Sequence, residues 1–372
     1  ATFAAGYLSR PVGAAVLANL GDKYGRKRML IISMMMMGIA TFLIGCLPTA
    51  ATIGPAAPIL LILLRVIQGV GVGGEQSGGI VMATEYAPPR LRGVFAGLAS
   101  CGVAAGVATG NLVYLVMNLT TSPEWFQSFG WRIPFMLSIL LIGVGLYFRF
   151  NIGESPAFIA LQKKSAPKQI PFLELIVHHW PKVLRVLLLT MFMSSIGYVG
   201  QVFLVAYATS QLKVAPPVLL GAAIIANLIE VPATVFSGWL SDRVGRKAVY
   251  LPTVAIGLLF SFALFPLVNT GSWIGIGIAV IGLRLITAGM YGPQGALFSE
   301  MFNTEVRYSG VALGFAVSTT IAAVIVSFLF AGSAGGTFLP TVFITICAIV
   351  TLITGLTITE QSKRDLTDQS AT

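Results

Sequence analysis

Long uncharged runs dominate the chain, and a bilayer supplies the ruler for them: a hydrocarbon core of roughly 30 Å takes about 20 apolar residues of helix. Residues 29–47 and 186–212 carry no charge, and neither does the stretch from Tyr308 to Thr359, which the small residues of Gly332–Thr337 divide in two. Residues 248–283 are also uncharged but are broken by Asn269-Thr270-Gly271-Ser272. The pattern predicts eleven spans, at about 1–20, 29–47, 58–84, 93–117, 131–149, 186–209, 217–240, 248–268, 273–299, 310–331 and 338–358. The longest polar loop, residues 150–185, sets five spans before it and six after. Within it Phe172, Leu173, Ile176, Val177, Trp180 and Leu184 recur at helical spacing opposite Glu174, His178 and Lys182, which predicts a helix lying on the membrane surface.

Composition agrees with lipid as the solvent. Of 372 residues 56% are hydrophobic and only 10% charged, with a mean hydropathy of +0.88. Soluble chains carry about a quarter charged residues to wet their surfaces. The net charge of +10 would suggest nucleic acid in a soluble protein, but most of the Lys and Arg fall on one side of this threading. Basic residues are retained on the cytoplasmic side, so the C-terminus is cytoplasmic, residue 1 is outside and no nucleic-acid partner is expected. Since the sequence opens on Ala1, one further span upstream is predicted, making twelve with both termini cytoplasmic. Cys46, Cys101 and Cys347 all lie in apolar runs and offer neither a disulfide framework nor a metal-ligand spacing.

The chain repeats itself. Residues 21–28 read GDKYGRKR and residues 241–247 read SDRVGRK, so Asp22 and Asp242 each stand three residues before Gly-Arg-Lys. Glu85 precedes Arg92 by seven residues, as Glu300 precedes Arg307. Beyond these lie Gly102, Gly106 and Gly110 in one half and Gly310, Gly314 and Ser318 in the other, a spacing that lets helices approach closely. The predicted organisation is an N-terminal bundle at 1–149, a cytoplasmic linker at 150–185, a C-terminal bundle at 186–358 and a tail at 359–372. Two such halves with a site between them near the midplane are a standard transporter design.

The loops around Asp22 and Asp242 resemble the Gly-x-x-x-Asp-x-x-Gly-Arg-Lys signature of the major facilitator superfamily; the second copy is intact from Gly238 to Lys247, and the first has Ala18 at the leading glycine. Arg65, Gln68 and Gly69 resemble the superfamily's Arg-x-x-Gln-Gly. Leu8-Ser9-Arg10-Pro11-Val12-Gly13, Gly73-Gly74-Glu75, Trp131-Arg132-Ile133-Pro134-Phe135, Glu154-Ser155-Pro156-Ala157-Phe158 and Val306-Arg307-Tyr308-Ser309-Gly310 together resemble the metabolite:proton symporter family, whose members carry α-ketoglutarate, citrate, shikimate or proline and betaine. The resemblance implies an all-α membrane protein with the major facilitator fold, two pseudo-symmetric bundles holding about 11 of 12 helices. It also implies a monomer in a bacterial inner membrane, without cofactor or metal. The sets Asp22, Arg26, Glu85, Arg92 and Asp242, Arg246, Glu300, Arg307 resemble the superfamily's cytoplasmic gate networks, which lock the outward-open state and break when the halves rock. The family usually supplies an acidic residue from its first helix.

Ionisable groups at membrane depth are costly and so mark function by default. Arg10 and Glu230 fall near the midplane, Arg65 nearer the outside, Glu75 nearer the inside, and Arg284 lies in a later span. Gln68 and Glu75 share a helical face, as do Arg284 and Tyr291. Three cations against two carboxylates leave one positive charge in excess, which an anionic substrate would neutralise. Arg10, Arg65 and Arg284 are the candidate anion clamps, because guanidinium grips carboxylate bidentately. Glu75 and Glu230 are the candidate proton carriers: burial favours a neutral carboxyl and a nearby Arg the charged one, so proton and substrate can be coupled electrostatically. The plainer alternative is that Arg65 pairs with Glu75, or Arg10 with Glu230, merely to permit burial. Ser194, Tyr198 and Gln201 form a polar stripe, and Asn227 lies one turn before Glu230; binding and ordinary interhelical hydrogen bonding are both open for them. One pattern is a decoy. Gly69-x-Gly71-x-x-Gly74 matches a dinucleotide-binding fingerprint, but it lies mid-span with no strand before it, and close helix packing is expected there.

The reading is a proton-coupled transporter of a small organic anion, with protons and the bilayer as its other partners. A carrier of zwitterions such as proline or betaine is the alternative within the class, and a channel the alternative outside it. No enzyme is expected, because the only two histidines, His178 and His179, adjoin in a loop and no nucleophile and base converge.

Overall fold

A computed structural model describes residues 2–164, 171–332 and 336–360. Among them are eleven helical rods, numbered in chain order. The first, α1, is assembled from Thr2–Leu8, Arg10–Gly13, a π-helical turn at Ala14–Ala18 and Asn19–Tyr24. It is followed by α2 (Arg26–Cys46), α3 (Ala56–Tyr86), α4 (Arg92–Thr120) and α5 (Gly130–Asn151). The second half holds α6 (Trp180–Ser210), α7 (Pro216–Val244), α8 (Arg246–Asn269), α9 (Trp273–Glu300), α10 (Arg307–Gly332) and α11 (Phe338–Leu356). All except the interrupted α1 are long and apolar enough to cross a membrane as single rods. Leu140, Leu141, Ile256, Leu259 and Phe328 are among many large apolar side chains left exposed, which lipid rather than water must cover.

The two signature loops are sharp for a local reason. Gly25 (φ 112°) and Gly245 (φ 109°) sit where L side chains are strained, so only glycine turns the chain there between α1 and α2 and between α7 and α8. Glu154 accepts hydrogen bonds from the Lys27 amide at 3.2–3.4 Å, and Glu360 accepts one from the Arg246 amide, so each new helix N-terminus receives a carboxylate. The predicted surface helix is shorter than its apolar pattern. It ends at His178, and Trp180 and Leu184 belong instead to α6, whose proline at the second position pre-sets a helical start. Among its described side chains Leu175 is fully buried while Ile176 and Val177 stay exposed, and the helix packs against α10 and α1. Linker residues 165–170 and tail residues 361–372 lie outside the described residues.

Two seams join the halves, α1 and α3 against α10, and α4 against α7 and α9. At the α4–α7 seam an added Cβ on Gly93 would lie 2.4 Å from the Gly238 carbonyl oxygen, and the reverse distance is the same. That is closest approach at the cytoplasmic end. Gly102, Gly106 and Gly110, expected to mediate close packing, have nothing within 4 Å of an added Cβ, so α4 makes its tight contact earlier, at Gly93 and Gly97. In the other half Gly310 packs on Phe302 and Gly314 on Val186, contacts within that half. The Gly69–Gly74 run does pack closely: added Cβ atoms on Gly69 and Gly73 would each lie 2.1 Å from a carbonyl oxygen of α1. Ala18, in the place of a glycine, is fully buried with Tyr308, Ala312 and Met29.

Candidate functional site

Between the bundles lies a cavity of about 550 Å³ with walls from both halves. Arg10 enters it just before the π-helical turn of α1, and Tyr198 and Gln201 enter where α6 has its own π-helical turn, Val199–Phe203. Such turns redirect side chains within a helix and recur at functional sites. The Arg10 guanidinium lies 4.0 Å from the centre of the Tyr7 ring, and its Nη1 donates to Tyr198 Oη at 3.1 Å. The two tyrosine rings meet edge to face at 5.2 Å. Arg10 and Tyr198 thereby bridge the halves. Arg284 and Tyr291, on one face of α9, also line the cavity, as do Gln76 and Ser194, whose buried hydroxyl has no hydrogen-bond partner among the described residues.

Glu75 and Glu230, the two carboxylates proposed near this cavity, each hold a guanidinium, though neither holds the one the linear sequence suggested. Glu75 lines the wall and accepts from Arg149 Nη2 at 3.1 Å. Glu230, 2% exposed, has Arg284 Nη1 3.5 Å from its Oε2, an ion pair without a hydrogen bond to that oxygen. Arg149 is a residue the sequence reading missed. At the end of α5 it is indistinguishable in linear sequence from a charge retained by the cytoplasmic side, and only its reach back to α3 reveals the role.

Arg65 and Gln68 do not line the cavity. Arg65 Nη1 donates to Gln68 Oε1 at 2.9 Å, and Gln68 Nε2 donates to Thr41 Oγ1 at 2.7 Å, so the pair ties α3 to α2. Gln68 is expected on the face of Glu75, but hydrogen bonding to Thr41 draws its side chain off that face. Asn227 is fully buried within α7, donating to the Ala223 carbonyl at 2.6 Å, with its Oδ1 unpartnered among the described residues. A second cavity of about 290 Å³, towards the outer ends of α4, α6 and α7, is lined by Asn111 and Thr209 and shares Gln201 and Arg284 with the first. Those two side chains border both cavities.

At the cytoplasmic ends each half caps the other. Asp22 accepts from the Tyr308 and Ser309 amides at 3.3 and 2.8 Å and from Ser309 Oγ at 2.7 Å, closing the N-terminus of α10. Asp242 accepts from the Gly93 and Val94 amides at 2.9 and 3.0 Å, closing the N-terminus of α4. A carboxylate at a helix N-terminus satisfies orphan N–H groups and the positive dipole end together. Around Asp22 the charges interlock: Glu85 takes Arg26 on one oxygen and Arg307 Nη1 on the other at 2.5 Å, while Arg26 Nη2 donates to the Thr304 carbonyl at 2.8 Å. Ser155 Oγ from the linker adds a 2.5 Å hydrogen bond to Glu85, a contribution no spacing in the sequence signals. Around Asp242 the set is looser. Arg246 bonds Asp242, but Glu300 stands 3.5 Å from Arg246 and 3.7 Å from Arg92.

Residues 1–326 match the Major Facilitator Superfamily. The chain belongs to that superfamily. Relatives include the inner membrane metabolite transport protein YhjE of Escherichia coli K12, 35% identical over 88% of this chain and 76% of its own length. The shikimate transporter of the same strain is 34% identical over 86% of this chain and 74% of its own length. The proline/betaine transporter of Salmonella typhimurium is 33% identical, covering 98% and 75%. The solved proton:xylose symporter XylE, bound to 6-bromo-6-deoxy-D-glucose, superposes with a TM-score of 0.77 over 98% of this chain and 86% of its own, at 18% identity, a likeness of fold. As a superfamily member the chain is a multi-pass membrane transporter of metabolites, and its paired seams are the superfamily's two-bundle architecture.

Proposed function

We propose that this transporter is a proton-coupled symporter of a small organic anion in a bacterial inner membrane, working by alternating access, and that the arrangement described above is outward-facing. The observation that carries the reading is the pair made by Glu230 with Arg284, whose side chain lines the cavity while Glu230 is buried behind it. While Glu230 is ionised it holds Arg284. A proton on its carboxyl ends that attraction and leaves the cavity one positive charge richer, which favours an anion. Glu75 and Arg149 repeat the device with a tighter, hydrogen-bonded pair. Once anion and proton are both bound, breaking the two cytoplasmic networks lets the halves rock and exposes the cavity to the inside. A channel would need both ends open, and the buried networks close one.

The test is uptake by the full-length protein in proteoliposomes, with labelled shikimate, α-ketoglutarate, citrate and proline, with and without an imposed proton gradient. Saturable accumulation that follows the gradient is expected for an anion. Flux that rises linearly with concentration and ignores the gradient overturns the proposal. Gradient-driven accumulation of proline alone replaces the anion by a zwitterion, a reading to which the proline/betaine relative lends support.

A further inference from the structure

The charges facing the cavity are not equivalent. Arg149 and Arg284 are each held by a carboxylate, at 3.1 and 3.5 Å. Arg10 makes no ion pair among the described residues: a phenol takes one of its five N–H donors and a ring covers one face. We propose that the cavity takes a substrate with one carboxylate, gripped by Arg10, and with neutral hydrogen-bonding groups such as hydroxyls on the rest of its frame. The inference rests on the anion-symport reading above and narrows it to a class.

Arg10 lines the cavity with four of its five N–H donors left over by Tyr198, enough to grip a carboxylate bidentately. Stacking on Tyr7 and the bond to Tyr198 restrict the guanidinium before substrate arrives, so less side-chain entropy is lost on binding. Beyond it, uncharged groups with unspent hydrogen-bonding capacity line the wall. Ser194 is 5% exposed with an unpartnered hydroxyl, and Gln201 lies on the same face of α6, seven residues on. Gln76 lines the wall beside Glu75. Polar groups of this kind discriminate strongly, because an analogue that leaves them unpaired bears their desolvation cost. While both glutamates are ionised, a second carboxylate would have to take Arg149 or Arg284 from its glutamate. A quaternary or primary ammonium would face three guanidinium groups with both carboxylates already engaged.

The experiment is equilibrium binding to the full-length protein in nanodiscs without a gradient, with shikimate as hydroxylated monocarboxylate, α-ketoglutarate as dicarboxylate, citrate as tricarboxylate and glycine betaine as zwitterion. Gradient-driven uptake of the same four is measured in parallel. Shikimate is expected to bind at least tenfold more tightly than the other three. Arg10→Gln should weaken it by tenfold or more, Arg10→Lys less, and Ser194→Ala severalfold. Tighter binding of α-ketoglutarate, citrate or betaine overturns the inference while gradient-driven uptake of that probe leaves symport standing. Unchanged shikimate binding in Arg10→Gln also overturns it. If none of the four is accumulated, the symport reading falls and this inference with it. Should Arg10→Gln fail to fold, the ranking of the four probes on the unmodified protein and the Arg10→Lys variant decide the matter.

Discussion

Tyr308 Oη donates a 2.5 Å hydrogen bond to the carbonyl of Gly74, so a side chain of the second half is seated inside the first. Its ring fills a socket that exists because Gly21 and Gly78 lack side chains. An added Cβ on Gly21 would lie 2.4 Å from a ring carbon and one on Gly78 2.6 Å from the hydroxyl. Tyr308 is 0% exposed and must leave this socket whenever the cytoplasmic ends part. Gly78→Ala is therefore expected to open the inside. A cysteine replacing Ala312, buried in the same seam, should react with a membrane-impermeant thiol reagent from the cytoplasmic side faster in the Gly78→Ala background. Tyr308→Phe keeps the ring and loses about 1 kcal/mol, which should raise that labelling roughly fivefold.

The two cytoplasmic networks differ in tightness, and their variants should differ accordingly. Glu85 holds Arg26 and Arg307 together, all three fully or nearly fully buried. Glu85→Gln leaves two guanidinium groups short of their counter-charge, a loss of about 3–5 kcal/mol for a broken buried pair. Glu300 stands farther from its partners, neither of its oxygens taking a hydrogen bond among the described residues. Glu300→Gln leaves the buried Arg246 its bond to Asp242 and is expected to cost less than Glu85→Gln. Thermal unfolding in detergent checks the order, and equal losses would mean that the spacing of the charges does not govern their strength.

Glu230→Gln should uncouple transport from pH. Counterflow exchange of a substrate is expected to persist, because the two halves still rock, while accumulation against a gradient is lost. Proton-driven accumulation at the unmodified level in that variant would take Glu230 out of the mechanism.

Glu75 and Arg149 provide a double-variant test. Glu75→Gln alone leaves Arg149 without a counter-charge in a partly buried site, its side chain 21% exposed. Adding Arg149→Gln removes that charge, so the double variant is expected to recover stability relative to Glu75→Gln. A double variant less stable than either single one contradicts the pairing.

Arg65 carries a different expectation from Arg10. Because it ties α3 to α2 through Gln68 and Thr41, Arg65→Gln should lower stability by about 1 kcal/mol and leave KM for transport unchanged. A rise in KM of tenfold with unchanged stability would return Arg65 to the substrate site.

Uncharged runs near 20 residues, one-sided Lys and Arg, and the doubled Asp-x-x-Gly-Arg-Lys loop were enough by themselves to determine the helical rods and the superfamily. They are legible because lipid imposes them locally: every backbone group in the bilayer must be satisfied within its own helix, whatever the neighbours are. Which charge meets which is a matter of rotation, tilt and side-chain reach. Gln68 and Glu75 share a face on a helical wheel, yet one turns to Thr41 and the other to Arg149, a residue 74 positions away. Only the packing of α3 between α1 and α2 and the reach of α5 decided that, because a long ionised side chain settles wherever its desolvation is best compensated, and linear spacing does not record where that is.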